Sequence, residues 1–101
     1  MANLSHLDVV LVVEDEALIL LDIEQTLAEA DVGQVVAATN VEDALAAIAM
    51  RSIDAAVLDL HLGRSGWSYE VAKRLTESGV PFIFRREPLT LRKAIAKSRC
   101  S

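Results

Sequence analysis

Two short, continuous apolar segments, each followed by acidic residues, dominate the hydrophobic pattern of this chain. The first, Val9–Val13, precedes Glu14-Asp15-Glu16; the second lies within Asp54-Ala55-Ala56-Val57-Leu58-Asp59-Leu60-His61-Leu62-Gly63. Such segments are typical of strands that are buried on both faces of a parallel sheet. A carboxylate in mid-core is strongly unfavourable, so we expect Asp59 at the carboxyl end of its strand. Because the carboxyl ends of parallel strands form one edge, Glu14, Asp15 and Asp59 are predicted to lie together.

The remaining segments have helical periodicity or form further short apolar runs. The predicted elements are strand 9–13, helix 17–30, strand 32–38, a helix begun by Asn40 and extending to Met50, the strand ending at Asp59, helix 69–78, strand 82–84 and a helix 91–99 begun by Thr90. Asp43 stands three residues after Asn40, close to a capping box. Strands that alternate with helices indicate an α/β fold with a doubly wound parallel sheet.

Apolar residues at helical spacing define the predicted inner faces of the first two helices. In the first helix they are Leu18, Ile19, Leu21, Ile23 and Leu27, and in the second they are Ala44, Leu45, Ile48 and Met50. The segment from Gly63 to Gly66, which precedes Trp67, is predicted to be a loop that borders the acidic edge.

Length and composition narrow the classes of protein that fit. With 101 residues, 52% of them hydrophobic, the chain is expected to form one domain, residues 1–101, and not a disordered segment. Its apolar runs are too short to span a bilayer and Cys100 is its one cysteine, so we expect a cytoplasmic protein without disulfides. Residues 1–84 contain four Lys/Arg against fourteen Asp/Glu, whereas residues 85–101 contain six against one. The acidic body argues against nucleic-acid binding, and the basic end is interpreted as a solvated face or a contact for an acidic partner.

The predicted cluster of three carboxylates calls for a cation, because three such groups cannot all stay ionised around one point without one. An all-oxygen site that is open to solvent suits Mg²⁺, which keeps several waters and favours carboxylates together with a phosphate. The alternative is that the acids only decorate solvated strand ends. No Gly-rich loop follows the first strand and no Ser-His-Asp or Cys-His set is evident, so neither a nucleotide site nor an enzyme is predicted.

At these residues the chain resembles a known family. Val9-Val10-Leu11-Val12-Val13-Glu14-Asp15-Glu16 followed by Ala56-Val57-Leu58-Asp59-Leu60-His61-Leu62 looks like the receiver domain of two-component response regulators. The resemblance implies a flavodoxin-like (CheY-like) sheet of order 2-1-3-4-5. It also implies that Asp59 accepts a phosphoryl group from a sensor histidine kinase or phosphotransfer protein. By the same resemblance, Mg²⁺ would be bound by Asp15 and Asp59, by Glu14 through water, and by the backbone carbonyl of His61.

The chain departs from the family pattern after its fourth strand. A receiver has Ser or Thr just beyond that strand and Lys-Pro after a fifth strand, whereas here Arg86 and Glu87-Pro88 stand at those places. No fourth helix and no fifth strand fit between Phe84 and Thr90, so we predict a sheet truncated to about four strands. Arg85 or Arg86 is a candidate replacement for the positive charge of the lysine.

Two hypotheses for the function follow, with a third at a distance. The first is a single-domain receiver that accepts a phosphoryl group on Asp59. The second is a degenerate receiver that acts as a protein-interaction module without productive switching. A flavodoxin-type redox domain is the third. Because the missing fifth strand would leave Phe82-Ile83-Phe84 as an unpaired apolar edge, we also predict a homodimer, built at the fourth strand and last helix or by exchange of that helix between subunits.

Overall fold

The computed structural model describes residues 6–63 and 66–85, and strands alternate with helices throughout this part of the chain. In chain order the elements are β1 (Val9–Val13), α1 (Ala17–Glu29), β2 (Gln34–Ala38), α2 (Val41–Met50), β3 (Ala55–Asp59), α3 (Tyr69–Glu77) and β4 (Phe82–Arg85). The predicted alternation is confirmed. The helix predicted over 91–99, its cap Thr90 and the substituted motif at Arg86-Glu87-Pro88 lie outside the described residues.

The four described strands form one parallel sheet in the order β2-β1-β3-β4. This is the order of the first four strands of the predicted flavodoxin-like fold, which is therefore confirmed. β1 and β3 occupy the centre, with Val13 opposite Ala38 on one side and Leu58 on the other. Glu14 directly follows β1 and Asp59 is the last residue of β3. The two strands are neighbours, so their carboxyl ends lie together at one edge of the sheet.

Helices cover both faces of the sheet, because alternate residues of the central strands point to opposite sides. On one face, Leu11 and Leu58 pack with buried side chains of α2 and α3. On the other face, Val10 and Val12 pack against Ile19 and Ile23 of α1. Full burial of such side chains contributes about 1.5–3 kcal/mol each. The central strands are consequently held from both sides.

The buried face of α1 differs from the prediction. Ile19 and Ile23, four residues apart, contact the sheet, whereas Leu18 and Leu21 are 82% and 51% exposed. One helix packed on one face of a sheet buries a single stripe, and residues one or two positions from that stripe turn towards solvent. In α2, Ala44 and Ile48 are buried, and Met50 at the end of the helix is exposed.

The second strand begins at Gln34 and not at Val32. The Gln34 N–H donates to the carbonyl oxygen of Asp8 at 2.6 Å, and the Gly33 N–H donates to that of Leu7 at 3.1 Å. A Cβ atom on Gly33 would lie 2.7 Å from the carbonyl oxygen of Asp8, so only glycine fits this approach to the start of β1. The residues before Gln34 are therefore a turn.

The N-cap predicted for α2 is present in the structure. The Asn40 side chain accepts a hydrogen bond from the Asp43 N–H at 2.7 Å, and its Nδ2 donates to Asp43 Oδ2 at 3.1 Å. The predicted cap is confirmed. It differs from a full capping box, in which the side chain at the third helical position accepts from the backbone N–H of the cap residue; here Asp43 accepts from the side chain of Asn40 instead. Gly79, with φ of 72°, follows α3 where a left-handed residue ends a helix.

In the described part of the chain, no helix has the length and apolar character needed to cross a membrane.

Candidate functional site

The acidic residues predicted to converge do so at the carboxyl edge of β1 and β3. Glu14, Asp15 and Asp59 each place a carboxylate oxygen within 4.8 Å of the other two. Glu14 and Asp15 follow β1, and Asp59 ends the neighbouring strand β3. Their burial is graded, because Glu14 is buried, Asp59 half-buried and Asp15 exposed. The edge therefore offers three oxygen ligands between the core and solvent.

Glu14 is the most constrained of the three acids, with 1% of its surface exposed. Its backbone N–H continues the sheet by donating to the Ala38 carbonyl at 3.0 Å, and its Oε1 accepts from the Glu16 N–H at 3.1 Å. Burial raises the pKa of this carboxyl from 4.5 to about 7; the Glu16 N–H opposes the shift, and the negative charge of Asp59 adds to it. Oε2 is buried and has no hydrogen-bond partner among the described residues.

This environment fits a divalent cation. The donor set consists of carboxylate oxygens, which suit Mg²⁺. A cation would give Glu14 Oε2 the favourable neighbour that the described residues do not supply. It would also offset the burial and the negative charge of Asp59, which together raise the pKa of Glu14.

The chain beyond Asp59 is held by Ser68, which the sequence analysis did not identify. The Ser68 hydroxyl, fully buried, donates to the carbonyl oxygens of Asp59 at 2.6 Å and of Leu60 at 3.2 Å. Its N–H also donates to the Leu60 carbonyl, at 3.0 Å. Ser68 precedes α3 but its side chain makes no cap hydrogen bond there. A serine just before a helix suggests an N-cap, so its position carries no sign that its hydroxyl donates to the preceding strand.

The loop after β3 borders the site as predicted. Gly63 has φ of 54°, and a Cβ atom there would lie 2.6 Å from Asp15 Oδ2. The Leu62 N–H donates to the Gly66 carbonyl at 2.7 Å, which closes the loop, and Leu62 is 2% exposed. Gly63 is thus required both for its backbone conformation and for its close approach to Asp15. Arg64 and Ser65 lie outside the described residues.

His61 lies in the same loop, and its side chain contacts that of Trp67. The two rings meet edge to face at 4.9 Å, and the two residues form an isolated antiparallel bridge. The predicted coordination by the His61 carbonyl remains a prediction. A line of aromatic rings continues from Trp67 to Tyr69 at 5.8 Å and from Tyr69 to Phe84 at 6.2 Å. We call Trp67, Tyr69 and Phe84 the aromatic strip; they are 55%, 57% and 41% exposed.

Arg85 ends β4 directly beside Asp59. The two residues are register partners in the parallel pair of β3 and β4. The Nη1 atom of Arg85 is buried and has no hydrogen-bond partner among the described residues. Of the two arginines proposed to replace the positive charge of the family's lysine, Arg85 lies at this edge, and Arg86 lies outside the described residues.

With this geometry established, comparison with known proteins gives a family. The model of the response regulator receiver domain matches residues 10–85. The solution structure of SdrG from Sphingomonas melonis Fr1 is 38% identical with a TM-score of 0.71; the match covers 77% of this chain and 66% of that one. The BeF3-activated conformation of SdrG from Pseudomonas melonis Fr1 is also 38% identical, with a TM-score of 0.66 and coverage of 83% and 69%.

The anti-anti-sigma factor PhyR from Bartonella quintana is a more distant structural match. It is 25% identical with a TM-score of 0.68, and the match covers 75% of this chain but 31% of PhyR. The chain thus corresponds to about a third of that protein. A comparison with curated proteins gave no match.

Proposed function

Because the chain belongs to the family of response regulator receiver domains, we propose that it accepts a phosphoryl group on Asp59 from a histidine kinase or a phosphotransfer protein. A carboxylate oxygen of Asp59 attacks the phosphorus of a phosphohistidine. The P–N bond breaks as the new O–P bond forms, and the departing imidazole takes up a proton. The product is an acyl phosphate on Asp59.

The observation that carries this proposal is the convergence of Glu14, Asp15 and Asp59 within 4.8 Å at one sheet edge. When bound there, Mg²⁺ would neutralise charge on the transferred phosphoryl group. Asp15 and Asp59 would hold the ion directly, Glu14 through water and His61 through its carbonyl. Asp59 is the best acceptor of the three because it is half-buried and so can be reached by a phosphodonor. Glu14, in contrast, is enclosed, and its raised pKa of about 7 keeps it protonated below that pH.

The site also has the rigidity that this chemistry requires. Ser68 fixes the carbonyls of Asp59 and Leu60 through its hydroxyl. Gly63 packs against Asp15. A nucleophile and its metal ligands held by backbone contacts lose little freedom on reaching the transition state. A relative at 38% identity has a BeF3-activated conformation, and BeF3 on a carboxylate has the shape and charge of a phosphoryl group. This supports the same chemistry here.

Intact-mass measurement after incubation with acetyl phosphate and Mg²⁺ tests the proposal. We expect a mass gain of one phosphoryl group in the natural chain and none in Asp59→Asn. Asp22→Asn, which alters an exposed acid on α1, is the matched control and should behave like the natural chain. A gain that persists in Asp59→Asn, or no gain in the natural chain, would contradict the assignment.

A second candidate function is a protein-interaction module that does not use phosphorylation productively. The observation that favours it is the exposed aromatic strip, which lies beside the side of β4 that has no partner strand among the described residues. Exposed apolar surface of this kind marks contact sites. One of the structural neighbours, PhyR from Bartonella quintana, is an anti-anti-sigma factor. Absence of phosphoryl uptake together with retained self-association would favour this function over the first.

A further inference from the structure

Arg85 is the arginine that the fold places beside the proposed phosphoacceptor. It ends β4 and is the register partner of Asp59, which ends β3. Paired strands lie about 4.8 Å apart, and register partners in parallel strands project to the same face of the sheet. The guanidinium of Arg85 therefore belongs to the same corner of the molecule as the Asp59 carboxylate.

Two buried side-chain atoms at this corner, one from an acidic and one from a basic residue, have no hydrogen-bond partner among the described residues. They are Glu14 Oε2 and Arg85 Nη1. A buried polar atom without a partner is unfavourable, so such atoms mark places where a ligand completes the structure. One atom calls for a cation and the other for an anion. A phosphoryl group bound to Mg²⁺ supplies both.

The charge balance of the phosphorylated site leads to the same conclusion. A phosphoryl group carries about two negative charges at neutral pH, in addition to that of Asp15 and, once Mg²⁺ has displaced its proton, that of Glu14. One divalent cation leaves an excess of negative charge. Among the described lysines and arginines, Arg51 ends α2 and Lys73 and Arg74 belong to α3. Arg85 is the one that lies in a strand.

We propose that Arg85 binds the phosphoryl group on Asp59 through its guanidinium N–H groups. This inference rests on the proposed function and names the cation that the site uses in place of lysine. No covalent bond changes in this step: the guanidinium donates hydrogen bonds to phosphoryl oxygens, for which its planar fork is well suited. Because Arg85 belongs to β4, phosphorylation of Asp59 would then add a contact between the central strand β3 and the outer strand β4.

The rate of phosphoryl uptake in Arg85→Gln tests this assignment, with acetyl phosphate as the donor and intact mass as the readout. We expect uptake to slow by about tenfold or more, the effect of one charge-assisted hydrogen bond. Arg85→Lys keeps the charge and should recover part of the rate. Arg74→Gln removes the same charge from α3, where Arg74 lies 3.7 Å from Glu77, and should leave the rate unchanged.

Calorimetric titration with Mg²⁺ alone separates this role from a structural one. Removal of a positive charge beside three carboxylates should make Arg85→Gln bind Mg²⁺ at least as tightly as the natural chain does. Slower uptake with intact Mg²⁺ binding supports the proposal, whereas loss of both indicates a structural role and contradicts it. Uptake that is unchanged or faster in Arg85→Gln overturns the Arg85 assignment alone. No uptake in the natural chain overturns the proposed function.

Discussion

The central and outer strands of this sheet show how differently neighbouring parts of one layer are used. In β1, four of five residues are buried, and Leu11 and Val12 have no exposed surface. In β4, no residue is fully buried, and Ile83 is 63% exposed. Both strands belong to the same parallel sheet, but β4 pairs on one side only within the described part of the chain.

This difference in burial suits the central strands to positioning the acids and the outer strand to contact with other molecules. A strand paired on both sides and covered on both faces has no freedom to shift, so the acids that follow it have fixed positions. Glu14 and Asp59 are placed in this way. An outer strand is less constrained and exposes both backbone groups and side chains, which suits contact with other molecules. Arg85 lies where the two regions meet, because it belongs to β4 and faces Asp59.

Truncation of a buried side chain at the centre and of an exposed one at the edge should give the largest contrast. Leu58→Ala removes a fully buried side chain from β3 and is expected to lower the free energy of unfolding by about 2–5 kcal/mol. Ile83→Ala, in the register-neighbouring strand, should lower it by less than about 1 kcal/mol because the side chain is already exposed. Urea unfolding of both variants at a concentration where the chain is monomeric measures the difference. Equal losses would contradict the contrast between centre and edge.

The pH dependence of stability tests the central site next. Glu14 has a pKa of about 7 in the folded chain and 4.5 as its ordinary value, so the folded state binds its proton more tightly than the unfolded state does. The resulting stabilisation is fully present below pH 4.5 and is lost as the pH rises through 7. We expect the free energy of unfolding to fall by up to about 3 kcal/mol across this window without divalent cations.

Urea titrations between these pH values, with a chelator present, measure this dependence. Glu14→Gln should remove most of the decline, because glutamine has no proton to lose. Glu42→Gln, at an exposed position in α2, should retain the decline and serves as the control. Addition of Mg²⁺ should flatten the curve of the natural chain, since the cation stabilises the ionised carboxylates. A decline that is the same in Glu14→Gln would assign it to other groups.

These contrasts also explain which features the sequence could predict. The central strands are continuous apolar runs ended by acids, so β1, β3 and the meeting of their carboxylates followed from the pattern alone. The buried stripe of α1 could not be predicted from the pattern. Leu18 and Leu21 are as apolar as Ile19, and packing geometry decides which of them faces the sheet. Ser68 was missed for a related reason: its hydroxyl bonds to a strand that ends nine residues earlier in the chain.

Arg85 and the aromatic strip depend on contacts that a linear pattern does not encode. The register of β4 against β3 decides that Arg85 faces Asp59, and a shift of one residue would place Phe84 there instead. The strip joins a loop, the first turn of α3 and the end of β4. Single apolar residues in three separate elements carry no signal of their common surface. The acidic cluster at the ends of β1 and β3 was therefore predictable from the sequence. The position of Arg85 on β4 beside that cluster was not.

Self-association is the smallest effect that we expect and the one that most directly tests the outer strand. We propose that the chain forms a homodimer through β4, because Ile83 and Phe84 are exposed on a strand whose outer backbone groups have no partner strand in the described part of the chain. Pairing two such edges would satisfy backbone groups and bury apolar surface. Light scattering at roughly tens of micromolar should give the dimer mass, since an interface of modest size holds at such concentrations.

Insertion of a charge into this edge should weaken the dimer without unfolding the subunit. Ile83→Lys places an ammonium group where two copies of β4 would meet, and we expect the dissociation constant to rise by about tenfold or more. Met50→Lys introduces the same charge at an exposed position of α2, away from β4, and should leave the dimer intact. A monomer mass for the natural chain would refute the dimer. A dimer equally stable in Ile83→Lys would place the interface on another surface, because like charges that lie opposite each other on two paired strands repel and destabilise the pairing.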